Sequence, residues 1–278
     1  MSDLKGKVAV VLGASAEGGT GWGIAEGLAA AGAKVVVGAR SFEPLKKLAN
    51  KIGGLAVRCD AGDEGEIKAL RDAAVKEYGR LDIAVNSAAT PTLGMIADLT
   101  PALLQQGIQV NYFGMAYFVR HMAEAMKGPG SIILVGSMSA VSPIFPHFAY
   151  ACGKAAMECL VKYAAMEYGP RQIRVNSIRI ATVFSEMARE HYNSPGVGER
   201  FTHEVPLGRL GYPADMANAA VWLAGPSYIT GCNLDISGGN QLTRFPFLEE
   251  LPGAGASYEG SGALYDREHG KGTTFSGR

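Results

Sequence analysis

The sequence predicts an α/β protein built on a doubly wound parallel sheet of about seven strands, with helices on both faces. Three observations carry this. Short apolar runs alternate with helical patterns along most of the chain. The runs are apolar at consecutive positions, the pattern of strands buried on both faces. The first run opens into a glycine-rich stretch, "GASAEGGTGWGIAEG" (Gly13–Gly27), that leads into an alanine-rich helical pattern, the place where a parallel α/β sheet holds a phosphate.

The elements follow in order. "KVAVVLG" (7–13) is the first strand, and 23–32 a helix stopped by Gly32. "AKVVVGAR" (33–40) is the second strand, followed by a helix near 42–52. "LAVRCD" (55–60) is the third, and 63–78 a polar-faced helix. "LDIAVNSAA" (81–89) is the fourth. A long helix is expected over about 100–126, with Thr100 as N-cap and Pro101 in its first turn. "SIILVGS" (131–137) is the fifth strand, and 150–168 is helical. "IRVNSIRIA" (173–181) and "CNLDIS" (232–237) are the last two strands, with a helix near 213–224 between them. Ligands of such a sheet bind at the carboxyl ends of its strands. No repeat or internal linker interrupts residues 1–244, which read as one dinucleotide-binding catalytic domain. Residues 245–278 read as an irregular, glycine-rich extension whose Phe245, Phe247 and Leu248 are able to pack, and 250–278 are expected to be dispensable for folding.

Composition narrows the class. Of 278 residues, 47% are hydrophobic and 19% charged, which favours a folded globule over disorder. The formal net charge is zero and no basic stretch stands out, so nucleic acid and anionic membrane are not expected partners. The polar start "MSDLKGK" has no apolar signal region, and no apolar run reaches membrane-spanning length. Cys59, Cys152, Cys159 and Cys232 lack the spacing of a metal site, and neither metal nor disulfide is expected; Cys152 and Cys159 read as packing residues. These features fit a cytoplasmic protein acting on a small molecule.

Candidate site residues fall on the strand ends. Gly13 allows a tight turn, and Gly21 and Gly23 are expected to let backbone and cofactor approach closely. Tyr150 and Lys154, four apart, share a helix face. A free phenol is a weak acid–base group at neutral pH, and an adjacent ammonium stabilises its phenolate. Ser137 ends the fifth strand, where its hydroxyl can hold a carbonyl or alcohol oxygen that Tyr150 protonates or deprotonates. Asn111, an indifferent helix former, lies within the long helix. On that helix Met115, Tyr117, Phe118 and Met122 read as core or subunit interface. That helix and the one holding Tyr150 are apolar nearly all round, the pattern of burial beyond one domain face.

Over residues 5–243 the sequence resembles the short-chain dehydrogenase/reductase family, in its branch with Tyr-x-x-x-Lys. "GASAEGGTGWG" matches the family's glycine motif with an insertion, and "CDAGD" the segment whose aspartate, here Asp60, lies beside the adenine. "NSAA" (Asn86, Ser87, Ala88, Ala89) stands for the family's Asn-Asn-Ala-Gly, and "PLGRLGYPADMANAAVWLAGPSYITGCNLDISGG" for its C-terminal signature. Asn111, Ser137, Tyr150 and Lys154 match the catalytic tetrad. The resemblance implies a Rossmann-type fold and a homotetramer or at least a dimer. It also implies roles. Tyr150 is the general acid/base and Ser137 orients the substrate oxygen. Lys154 holds the nicotinamide ribose and lowers the tyrosine pKa, and Asn111 anchors a proton-relaying water. Ile180 and Ala181 depart from the usual Pro-Gly; beyond them Val183 faces the carboxamide, Ser185 replaces a threonine, and Ala89 narrows the room beside the ring.

The expected cofactor is NADP(H) rather than NAD. The second strand ends in Ala39 where NAD enzymes of this fold carry an acidic residue. Arg40 can grip a 2′-phosphate, and the resemblance adds the Ser15 hydroxyl. The expected reaction interconverts a secondary alcohol and a ketone. Phe145, Pro146, His147, Phe148, Phe184, Met187 and Tyr192 are the expected pocket wall, which favours a bulky apolar or cyclic substrate over a sugar. Two alternatives stay open. The lengthened glycine loop resembles that of enoyl-thioester reductases, which place their tyrosine seven residues before the lysine, where His147 stands here. A non-catalytic cofactor-binding sensor is the other, though it would need no general acid.

Overall fold

A computed structural model describes residues 3–185, 189–247 and 250–251. Its strands are β1 (Val8–Leu12), β2 (Lys34–Ala39), β3 (Leu55–Arg58), β4 (Ile83–Asn86), β5 (Gly130–Ser137), β6 (Ile173–Ile180) and β7 (Asn233–Ile236). They form one parallel sheet of seven strands, as the sequence predicts, in the order β3-β2-β1-β4-β5-β6-β7. The chain builds outward from β1 to β3, then returns to place β4 on the other side of β1. That reversal opens a crevice at the carboxyl ends of β1 and β4.

The helices are α1 (Thr20–Ala30), α2 (Phe42–Ile52), α3 (Glu64–Tyr78), α4 (Pro101–Ile108), α5 (Gly114–Ala125), α6 (Phe148–Tyr168), α7 (Arg189–Asn193), α8 (Val197–His203) and α9 (Pro213–Ala224). β1 shows why its run has no polar position. Ala9 and Val11 pack with Trp22 and Leu28 of α1, Leu45 of α2 and Val221 of α9. Val10 and Leu12 pack with Leu70 of α3, Phe118 of α5 and Val161 of α6. Alternate residues thus face two separate cores. Met115, Phe118 and Met122 lie fully inside the second core, and Tyr117 packs at its margin. Among the described residues no helix is long and apolar enough to cross a membrane.

Three expectations need correction. The first helix starts at Thr20, so Gly21 and Gly23 belong to its first turn. The long helix over 100–126 is two: a wide, π-helical turn, Gln109–Phe113, separates α4 from α5. Its cause is local. The Asn111 side-chain amide donates to the Gly107 carbonyl at 3.0 Å, the acceptor that α-helical geometry assigns to the Asn111 backbone N–H. Cys152 and Cys159 are exposed; they fall on the outward stripe of α6, away from the buried Met157 and Val161. With exposed Tyr163 and Met166 they leave an apolar face on that helix.

Packing continues past residue 244, as the aromatic residues of the extension allow. Phe245 is buried against Met138, Phe201 and Leu210. Glu250 accepts from Arg200 and Arg244 at 2.8 Å each, and these pairs hold its carboxyl well below the usual range, at about 2. Phe245 thus packs as the sequence leads us to expect; Leu248 and residues 252–278, nearly all of the segment expected to be dispensable, lie outside the described residues. Phe245→Ala is expected to lower unfolding free energy by about 3 kcal/mol, read by urea denaturation. An unchanged midpoint would show that this contact does not hold the segment.

Candidate active site

The crevice between β1 and β4 is a cleft of about 420 Å³. Its phosphate-loop side is lined by Gly13, Ser15, Ala16, Gly19, Thr20 and Gly21. Two of these positions exclude a side chain. A Cβ on Gly13 (φ 89°) would lie 2.4 Å from the Ala88 nitrogen, and one on Gly21 would lie 2.3 Å from the Gly13 carbonyl oxygen. Backbone is thus brought to the α1 N-terminus, whose unpaired N–H groups favour a phosphate. Gly23 is a correction. Its missing Cβ faces Pro213 at 2.8 Å, so it lets α1 pack on α9 and does not line the cleft. The insertion is tied down at its outer edge, where Lys47 of α2 donates to both Glu17 carboxylate oxygens at 2.8 Å.

At one end of the cleft stand Ala39, Arg40, Ser41, Cys59 and Asp60. Arg40 is exposed. Asp60 accepts from the Gly62 N–H at 2.8 Å, which shapes the loop after β3. Burial pushes the Cys59 thiol up to about 12, so it is an apolar wall and no nucleophile. Asn86 is fully buried below the cleft. Its Oδ1 accepts from the Ala88 N–H at 3.0 Å, while its Nδ2 has no partner among the described residues.

Tyr150, Lys154, Ile180, Val183 and Ser185 line the other end. Lys154 is 1% exposed, and its Nζ donates to the Val135 carbonyl at 2.8 Å and lies 5.7 Å from the Tyr150 ring centre. Burial pushes this ammonium down to about 7. Burial also raises the Tyr150 phenol above its ordinary value, and a hydrogen bond with Ser137 pulls it back. The expected lowering by Lys154 is therefore not expressed in this structure. Asn111 closes the site from behind: its Nδ2 donates to the Thr90 and Gly107 carbonyls, and its Oδ1 accepts from the Thr90 N–H at 3.3 Å. Both amide protons are engaged, so a side-chain contact with a relay water falls to Oδ1.

The expected pocket residues form two groups. Phe145, His147 and Phe148 lie at the entry to α6, where the His147 ring stands edge-on to Tyr150 at 6.2 Å. Burial lowers the His147 pKa, which keeps it neutral. This segment is braced by the Gly94 N–H, which donates to the Pro146 carbonyl at 2.8 Å. Phe184 and Tyr192 form the second group, 6.4 Å apart, joined by Tyr212 and by Phe201 of α8. Met187 lies outside the described residues. Sequence reading missed Thr90, which pairs with Asn111, and Ser139, whose hydroxyl lies 2.9 Å from that of Ser137. The second serine of "GSMSA" was the available signal. It also missed α7 and α8, which have too few residues for a periodic pattern.

The cleft suits a nicotinamide dinucleotide. It runs from Arg40 and Asp60 to Tyr150 and Ser185, and two glycines are required where a pyrophosphate would sit.

Comparison with known proteins agrees. A family model described as Enoyl-(Acyl carrier protein) reductase matches residues 13–241. The chain is 32% identical over 245 residues to a D-threitol dehydrogenase of Mycolicibacterium smegmatis, covering 85% of this chain and 93% of that one. It is 34% identical over 245 residues to a 7alpha-hydroxysteroid dehydrogenase of Escherichia coli K12, covering 85% and 94%. Among solved structures, a short-chain type dehydrogenase/reductase from Mycobacterium ulcerans superposes with a TM-score of 0.84 at 28% identity, covering 90% of this chain and 94% of that one.

Proposed function

The chain belongs to the short-chain dehydrogenase/reductase family, and on that premise we propose that it is an NADP(H)-dependent oxidoreductase interconverting a secondary alcohol and a ketone. The observation that carries the reading is the Tyr150 ring at one end of the cleft, near the carboxyl end of β5 where Ser137 stands, with Lys154 buried beside it. Bound nicotinamide supplies the chemistry of hydride donation and acceptance. Ser137 holds the reacting oxygen, and Tyr150 gives it a proton in reduction and removes one in oxidation. Lys154 holds the nicotinamide ribose, Asn86 fixes the loop beneath it, and Gly13, Ser15 and Gly21 receive the phosphates. Asp60 borders the adenine, while Val183 and Ser185 border the carboxamide.

Phe145, His147, Phe148, Phe184 and Tyr192 favour a bulky apolar or cyclic substrate. The relatives' names span both a hydroxysteroid and a polyol. Enoyl-thioester reduction is the second reading, favoured by the description of the matching family model. Against it stands His147 seven residues before Lys154, where those enzymes carry their tyrosine. Turnover of a panel of secondary alcohols, ketones and enoyl thioesters separates the two. Reduction of the thioesters alone would overturn the alcohol/ketone reading, and cofactor binding with no turnover at all would favour a sensor. The exposed apolar face of α6 supports self-association as a dimer or tetramer, and cytoplasmic residence accompanies this reading.

The preference for NADP rests on Arg40. It lines the cleft beside Ser15 and Ser41, and Ala39 leaves no carboxylate at the strand end to repel a 2′-phosphate. A charge-assisted hydrogen bond is worth about 1.5–3 kcal/mol, so NADP should be favoured by tenfold or more. Arg40→Ala should bring kcat/KM for the two cofactors together. A wild type that prefers NAD, or a variant with unchanged preference, would refute the assignment.

A further inference from the structure

We propose that Ser139 is a positioning residue that fixes which way the Ser137 hydroxyl points, and through it where the Tyr150 proton goes. This rests on the alcohol/ketone reading above. Ser139 lies two residues past Ser137, in a one-turn 3₁₀ helix (Met138–Ala140) for which Ser137 is the N-cap. It is buried, and the turn is anchored by Met138 in the cluster with Phe201 and Phe245. The Ser139 N–H donates to Ser137 Oγ at 3.2 Å, and the two hydroxyl oxygens are 2.9 Å apart.

A serine hydroxyl has one proton and two lone pairs. One lone pair of Ser137 takes the Ser139 N–H. Ser137 is the hydrogen-bond partner of the Ser139 hydroxyl among the described residues, and a buried hydroxyl proton needs an acceptor. In this proposal that proton goes to Ser137, where it fills the second lone pair. Ser137 is left as a donor only and has no lone pair to accept the Tyr150 proton. With a ketone oxygen in the site, both the Ser137 and the Tyr150 protons are directed onto it. In the reverse direction Ser137 donates to the phenolate. Without the Ser139 hydroxyl, Ser137 can accept from Tyr150, and the proton is held on serine instead of being aimed at substrate.

The test compares Ser139→Ala, Ser139→Thr and Tyr150→Phe in 2-decalone reduction with NADPH and 2-decalol oxidation with NADP⁺. Ser139→Ala should lower kcat by about three- to tenfold, the worth of one neutral hydrogen bond. KM for decalone and the Kd for NADPH should stay near wild type. The pH midpoint of decalol oxidation should rise by about half a pH unit, since the phenolate loses support. Ser139→Thr, which keeps the hydroxyl, should restore both. Titration of tyrosinate absorbance, with Tyr150 isolated by difference from Tyr150→Phe, should show the same rise without any turnover. An unmoved titration with wild-type kcat in Ser139→Ala, or a Thr variant as impaired as the Ala variant, overturns the proposal. The two failures differ: a fully active Tyr150→Phe overturns the alcohol/ketone reading itself. An inactive Tyr150→Phe beside a wild-type Ser139→Ala overturns the role of Ser139 alone.

Discussion

Tyr150→Phe should lower kcat by about 10²–10⁴, the usual worth of a general acid, while NADPH binds with near wild-type affinity. The substitution removes one oxygen and keeps the ring, so the edge-on contact with His147 and the packing of α6 persist. The lost oxygen is the one that meets Ser137, and no neighbour replaces it. Lys154 lies nearby, but its Nζ donates to the Val135 carbonyl and sits over the ring, 5.7 Å from its centre. His147 is neutral and seven residues from Lys154, on another turn of the chain. Binding is separable because the phosphate loop and the adenosine end of the cleft involve none of these atoms. Steady-state turnover with chemistry limiting, together with NADPH fluorescence, measures both. A variant retaining more than half of wild-type kcat would sink the proposed mechanism.

Much of this was legible because buried parallel strands write their pattern directly into sequence. Each strand needs apolar residues on both faces, so seven runs stood out and their ends located Ser137 and Arg40; Asn86 came from the family resemblance. The helices were less legible at their ends, where backbone geometry takes over from periodicity. The wide turn at Asn111 depends on a side chain competing for the Gly107 carbonyl, which no propensity records. Gly23 and Gly21 look alike in sequence. Only the crossing of α1 with α9 shows that one serves a helix contact and the other the cleft. Ser139 was passed over for a similar reason: its meaning lies in a 2.9 Å contact with a residue two positions away, and such serine pairs are common in turns. The electrostatics were misjudged because sequence spacing gives proximity and not burial. Tyr150 and Lys154 are near each other as expected, yet burial acts on both more strongly than they act on each other.

That burial leads to the second large effect. Lys154→Met should impair turnover and cofactor binding, yet make the protein more stable at and below neutral pH. The folded-state pKa of Lys154 is pushed down to about 7 from 10.5 by burial. Between these values the unfolded chain holds the proton more firmly than the folded one, so wild-type stability rises with pH across the window. Below about pH 7 the full penalty for a buried ammonium applies, about 4–5 kcal/mol as an upper bound. Methionine is unbranched and fills the space of the lysine stem without a charge. It leaves the Val135 carbonyl without its donor, which costs about 1–3 kcal/mol. The net gain is then about 1–4 kcal/mol near pH 6.5, and it shrinks to a loss near pH 9.5 as wild-type Lys154 becomes neutral in the folded state. Urea unfolding of both proteins at these two pH values measures it. A stability difference that stays flat between them would show that Lys154 does not carry the buried, weakly held proton. If the difference falls as expected, the cost of keeping a cation under Tyr150 is one the fold bears for the sake of the site.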